Sequence, residues 1–190
     1  VSTYHGVIFV PADSPVRSVD DLGGRSIAMV RTTTAGHLYP VYLLWRAGLL
    51  RDENPPTLQW SGTHDEAVLD TVEGRTAAGA AKNLRLNAFE ATHPGSNLRR
   101  LAEGESVPNN ALVLRADVPH VLTERLSGIM LSMHETAEGM VALQAFGARR
   151  FLPCEVSEYE AIYDMVEQLG SAWELMGIEG PPPMRGAREP

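Results

Sequence analysis

Short apolar runs alternate with helical patterns along the first half of this chain, and apolar positions step in threes and fours along the second. Tyr4–Val10 (YHGVIFV) is short, β-branched and aromatic, and Pro11 closes it, which predicts a buried strand. Ser26–Val30 (SIAMV) predicts a second strand and Thr57–Trp60 a third. The small-residue run Thr76–Ala81 (TAAGAA) predicts a cramped strand where another backbone comes close. Asn97–Leu101 and Ala111–Arg115 (ALVLR) predict two more. Helical signals lie between them. Ser18–Leu22 reads as one capped turn, and His37–Ala47 as a helix that tolerates Pro40 in its first turn and stops at Gly48. Thr63 and Glu66 form a capping-box pattern ahead of the apolar positions Val68, Leu69 and Val72. After Pro119 the period changes: Leu122, Leu126, Ile129 and Met133 share one helical face, and further helices follow Thr136 and Ser157. This order predicts an α/β module with a parallel-rich sheet and then a helical section.

Composition narrows the picture. With 190 residues, 44% of them hydrophobic, the chain is long enough and apolar enough for a sizeable core. Sixteen basic against 24 acidic residues give a net charge of -8, and no segment supplies the basic stripe a nucleic-acid partner would need. The single Cys, Cys154, excludes an intrachain disulfide and a Cys-rich zinc site. No apolar run approaches the roughly 18–20 residues of a membrane helix. Lys82 is the only lysine, which reads as composition and carries no mechanism. The Pro/Gly/Arg-rich stretch from Gly180 predicts a disordered tail. The opening strand, beginning at Val1 with no signal peptide before it, reads as part of something longer.

The segment with the most chemistry is Arg31-Thr32-Thr33-Thr34-Ala35-Gly36, which leads from a strand into a helix. A helix start leaves backbone N–H groups unpaired and carries partial positive charge. Adjacent hydroxyls and a small Ala-Gly pair let a tetrahedral oxyanion sit close to those donors; the alternative is a helix cap with solvated threonines. His64, just inside the second capping box, could donate to the same anion or simply lie on the surface. No Gly-rich Lys-Ser/Thr phosphate loop is present. His5, His37, His64 and Asp65 are too scattered to predict a metal site, and no cofactor motif appears.

In order, these segments resemble one family. Tyr4–Val10, Asp13-Ser14-Pro15 and Asp21-Leu22-Gly23-Gly24 are similar to the crossover strand and following turn of the substrate-binding proteins of phosphonate, phosphite and phosphate ABC transporters. The likeness continues through Thr33–Pro40, Ser61–Asp65, Val107–Val113, the Thr136…Gly139 helix and the Tyr159 helix. It implies a type II periplasmic-binding-protein-like α/β fold. This chain would hold one nearly complete lobe with a mixed, parallel-rich sheet, plus C-terminal helices of the other lobe, whose N-terminal part is lacking. Residues 1–10 would be the crossover strand and 11–112 the second lobe. Residues 113–178 would be the return strand and helices of lobe one, exposing apolar surface, and 179–190 the tail.

The resemblance implies ligand contacts at Thr33, Thr34, Gly36 and His64, and at the crossover-strand aromatic, Tyr4. Ala35 stands where the family has a second Ser, and Arg31 or Thr32 would have to compensate. Relatives that bind aminoalkylphosphonates carry two acidic residues where this chain has Leu84 and Asn110, and Ala111 replaces a Pro. An ammonium buried there without a carboxylate costs several kcal/mol. The expected function is therefore capture of phosphite, phosphate or a small alkylphosphonate, outside the cytoplasm, for an ABC importer whose permease is the partner. A ligand-sensing extracytoplasmic domain of a signalling receptor is the alternative on the same fold. An enzyme on this fold lacks any visible acid–base pair.

Overall fold

The computed structural model describes residues 3–170 and 172. The disorder expected from Gly180 lies outside the described residues. The chain divides into two compact units, one of Tyr4–Val107 with the segment from Glu160, and one of Pro108–Tyr159 with the first three residues.

The larger unit is built on a five-stranded sheet. In chain order its strands are β2 (Gly6–Pro11), β3 (Ser26–Val30), β4 (Thr57–Ser61), β5 (Ala78–Lys82) and β6 (Leu98–Glu103), preceded by the short β1 (Thr3–Tyr4). The spatial order is β4-β3-β5-β2-β6. Strand β3 runs parallel to β4 and β5, and β2 runs antiparallel to β5 and β6. The mixed, parallel-rich sheet expected from the sequence is the one that forms.

Both faces of the sheet are covered. On β2, Ile8 and Val10 join one apolar cluster, while Val7 and Phe9 join another. This period-2 split explains why a central strand reads as an unbroken apolar run. Helix α1 (Tyr39–Arg46) covers the first face through Val41 and Leu44. Helices α2 (His64–Val72) and α3 (Asn83–Thr92) cover the other through Val68 and Leu86. Patterning alone assigns nothing to 83–92, because α3 buries only Leu86 and so shows no apolar stripe.

The small residues of β5 answer to side chains, not to a nearby backbone as the sequence suggested. A Cβ on Gly79 would come within 2.5 Å of the Phe9 ring and 2.4 Å of the Thr71 hydroxyl oxygen. Only glycine leaves Phe9 room to lie across the strand.

The smaller unit contains α4 (His120–Ser132) and α5 (Ala137–Phe146), the latter capped by Thr136, whose hydroxyl accepts from the Gly139 amide at 3.0 Å. The strand expected over Ala111–Arg115 does not form. An extended apolar run becomes a strand only when an edge offers hydrogen bonds, and here Val113 remains 86% exposed. Strand β7 (Val107–Pro108) pairs instead with β1.

A second departure concerns α6 (Glu160–Leu169). The sequence reading grouped it with the other C-terminal helices. Its Ile162, Val166 and Leu169 instead pack into the α1 side of the larger unit's core, and Tyr42 Oη donates to Gln168 Oε1 at 2.9 Å.

Candidate functional site: one edge of the sheet

Because β3, β4 and β5 are parallel, their carboxyl ends share one edge of the larger unit. Strand β2 is antiparallel, so its start lies at that edge too, with Gly6 opposite Lys82. In open α/β sheets, ligands bind where the parallel strands end. Topology thus gathers at one edge three connections: Arg31–Gly36 after β3, Gly62–Thr63 after β4, and the direct β5–α3 junction at Lys82–Asn83. Tyr4 and His5 precede β2.

The connection after β3 turns directly into helix. Thr34–Leu38 forms a single π turn that runs on into α1. Thr33 is its N-cap: the hydroxyl accepts from the Gly36 amide at 3.1 Å and donates to the Val30 carbonyl at 2.9 Å. Capping therefore occupies the Thr33 hydroxyl. The amides of Thr34 and Ala35 open the helix, where backbone donors have no partner within the helix. Ala35 is buried and adds no hydroxyl. Thr32 sits at φ 58°, a left-handed conformation that a β-branched residue rarely adopts. Its hydroxyl donates to the Arg31 carbonyl at 2.7 Å. The Arg31 guanidinium lies over the Trp60 ring, 4.3 Å from its centroid, and His37 meets the same ring edge-on at 5.1 Å.

His64 opens α2 behind the Thr63 cap, whose hydroxyl accepts from the Glu66 amide at 3.1 Å while Glu66 accepts from the Thr63 amide at 3.0 Å. That capping box is the one expected from the sequence. The imidazole leans on the neighbouring helix start, for a Cβ on Gly36 would stand 3.1 Å from His64 Cε1. A Cβ at 36 would also stand 2.9 Å from both Thr33 Oγ1 and Val30 Cβ, so glycine there serves the helix start and the ring together. His64 Nδ1 is buried and makes no hydrogen bond. Burial first, then the positive charges of Lys82 and Arg85, hold the His64 pKa below its ordinary value. The imidazole is accordingly neutral near neutral pH, with one N–H to give.

Lys82 ends β5, and its ammonium lies 4.2 Å from the centroid of the Tyr4 ring. Next to it, the Asn83 amide donates to the His5 carbonyl and the His5 amide donates to Asn83 Oδ1, both at 3.0 Å. Asp65 and Arg85, on α2 and α3, form a two-point ion pair.

Of the residues named from sequence, Thr33, Thr34, Ala35, Gly36 and His64 come together, and Tyr4 stands on the same edge. Thr32 belongs to the same connection with its hydroxyl turned to its own chain. Asn110 is exposed in the smaller unit, two residues beyond β7. Sequence reasoning missed Lys82, Trp60 and Arg85. Being the only lysine was the one available sign for Lys82. Among the described residues, no group of three or more His, Cys, Asp or Glu could hold a metal ion.

A family model for the periplasmic substrate-binding protein of phosphonate ABC transporters matches residues 1–159. The chain belongs to this phosphonate-binding family. The family is one of transport substrate-binding proteins, not an enzyme class. Similar solved structures carry the same fold. A Xanthomonas citri protein bound to chloride is 20% identical, with a TM-score of 0.75, over 87% of this chain and 64% of the other. The PhnD1 protein of Prochlorococcus marinus, in complex with methylphosphonate, is 20% identical, with a TM-score of 0.67, over 87% and 66%. The binding-protein component of a phosphonate ABC transporter from Pseudomonas aeruginosa is 15% identical, with a TM-score of 0.69, over 92% and 61%. These likenesses establish the type II periplasmic binding-protein fold. The chain spans just under two thirds of the length of these structures.

Proposed function

We propose that this chain is the ligand-holding part of a solute-binding protein that captures a small phosphorus oxyanion outside the cytoplasm for an ABC importer. Phosphite, phosphate and short alkylphosphonates are the ligands that suit the site. The observation that carries the reading is the buried, unbonded Nδ1 of His64 set against Gly36 at the start of the α1 turn. A buried polar atom without a partner is costly, and a site that expects a ligand explains it.

The proposed chemistry is recognition alone. A tetrahedral oxyanion would accept from the Thr34 and Ala35 amides, the Thr34 hydroxyl and the His64 imidazole, at the positive end of a helix. Thr33 would serve by shaping the turn. In this reading the larger unit is the lobe presenting the oxyanion site. Binding energy would favour the closed arrangement, which the permease would read. Aminoalkylphosphonates suit this site poorly. Leu84 stands on the first turn of α3 where a carboxylate would be needed, and Asp65 is already engaged by Arg85.

Calorimetric titration of the intact gene product with phosphite, phosphate, methylphosphonate, 2-aminoethylphosphonate and sulfate tests the reading. Binding of at least one of the first three, with 2-aminoethylphosphonate weaker, is expected. No binding by any of them, or sulfate as the tightest ligand, would overturn it.

A further inference from the structure

Resting on the oxyanion reading above, we propose that Tyr39 is a positioning residue: its ring couples the oxyanion turn at the start of α1 to β2 and β6, the two strands that lead out of the larger unit. One end of this link is backbone. The π turn Thr34–Leu38 runs straight into α1 at Tyr39, whose amide donates to the Thr34 carbonyl. That carbonyl and the Ala35 N–H belong to one peptide group. An anion accepting from the Ala35 amide would therefore polarise and hold the same peptide that anchors Tyr39. The other end is the ring. Tyr39 is 6% exposed. A Cβ on Gly6 would stand 2.6 Å from its Cδ1, and a Cβ on Gly104 would stand 2.8 Å from its Cε2. Gly6 and Gly104 face each other where β2 and β6 meet, and the Gly104 amide donates to the Gly6 carbonyl at 2.9 Å. Two glycines side by side offer no side-chain packing of their own, and an aromatic ring laid across them takes its place.

The place of this glycine pair gives the ring its role. The chain passes between the two units after Thr3, after Val107 and after Tyr159. Gly6 stands just beyond the first of these passages and Gly104 just before the second. The two passages are also joined to each other: Ser106 Oγ lies 3.4 Å from His5 Nδ1, and β1 pairs with β7. The Tyr39 ring is thus packed under the segment through which any change at the helix start must travel to reach both passages. It acts by shape, not charge. Burial first, then Glu103, holds the Tyr39 phenol above its ordinary value against the pull of Arg46, so the side chain stays neutral at physiological pH. A ligand that fixes the Thr34–Ala35 peptide fixes the base of this ring, and through it the Gly6–Gly104 hydrogen bond.

Hydrogen exchange of the Gly104 amide in the intact gene product, followed by NMR, tests this against Tyr39→Phe and Tyr39→Leu. Each protein is measured free and saturated with methylphosphonate, phosphite or phosphate, whichever binds tightest by calorimetry. In the wild type, ligand should slow this exchange about tenfold, an ordinary size for coupling between separate sites. Tyr39→Phe keeps the ring and should keep that ratio. In Tyr39→Leu the ratio should fall to about threefold or less at full occupancy. A general loss of stability does not imitate this result, because each ratio compares one protein with itself. If Tyr39→Leu does not fold, Gly104→Ala disturbs the same contact from the strand side, and the same fall is expected at the alanine amide. Exchange unchanged by ligand in the wild type, or a full ratio in the variant without the contact, would mean that the ring only fills space, and the proposal falls. If the wild type binds none of the three ligands, the oxyanion reading falls first and takes this proposal with it.

Discussion

The two units of this chain use the same local devices and reach different ends. In the larger unit, Ile8, Phe9, Ile27, Met29 and Leu44 are fully buried between a sheet and helices on both its faces. In the smaller unit, α4 and α5 form, α5 behind a Thr136 cap, yet Val141 is 68% exposed and Phe146 62%. Among the described residues, Leu143 is the one large apolar side chain of α4 and α5 that is buried. Capping and spacing are enough to make a helix. They do not make a core, which needs a second apolar surface. The side chains of the candidate site accordingly stand on the unit whose backbone is pinned by a sheet, where positions hold to fractions of an ångström.

The sharpest way to break this contrast is a pair of equal truncations in this chain. Phe9→Ala empties a site packed against Gly79 and should cost roughly 3–5 kcal/mol in urea unfolding, while Phe146→Ala should cost under about 1 kcal/mol. Equal losses would mean that the exposed face of α5 is not the weaker region.

A smaller effect separates the two threonines of the helix start. Thr33→Val removes a cap and should lower stability by about 1 kcal/mol. Thr34→Val should leave stability unchanged and weaken methylphosphonate binding about tenfold or more, the worth of a hydrogen bond to a charged ligand. If Thr33→Val alone affects binding and Thr34→Val does not, the roles are reversed.

Much of the larger unit was legible because its signals are local. The β2 and β3 runs, the Thr63–Glu66 box and the Thr-rich turn before α1 each announce themselves within ten residues. What stayed hidden depends on tertiary partners. Helix α3 hides because one buried residue, Leu86, makes no period. Residues Ala111–Arg115 look like a strand because composition cannot say whether an edge is waiting. The amphipathic pattern of α6 shows that the helix has an apolar face, not that the face meets α1. Lys82 gains meaning only when β2 pairs with β5 and brings Tyr4 beneath its ammonium.

The smallest effect is on acid sensitivity, and it belongs to the larger unit. His64 and His37 are both held below their ordinary value of 6.5, chiefly by burial. The unfolded chain therefore takes up these protons first. Stability should be full above about pH 6.5 and decline as the pH falls through it toward the folded-state values. Urea unfolding across that range should show the decline, and His64→Gln should flatten it. An unchanged slope in the variant would place the acid sensitivity elsewhere.

The central claim is that His64 Nδ1 waits for an oxyanion at the end of the parallel strands. Nitrogen NMR of the His64 imidazole in the intact gene product, before and after methylphosphonate is added, tests it most directly. The account predicts that the Nδ1 resonance moves to a hydrogen-bonded position on binding and that Thr34→Val reduces the occupancy of that state. Saturating methylphosphonate with the His64 signals unmoved would contradict it.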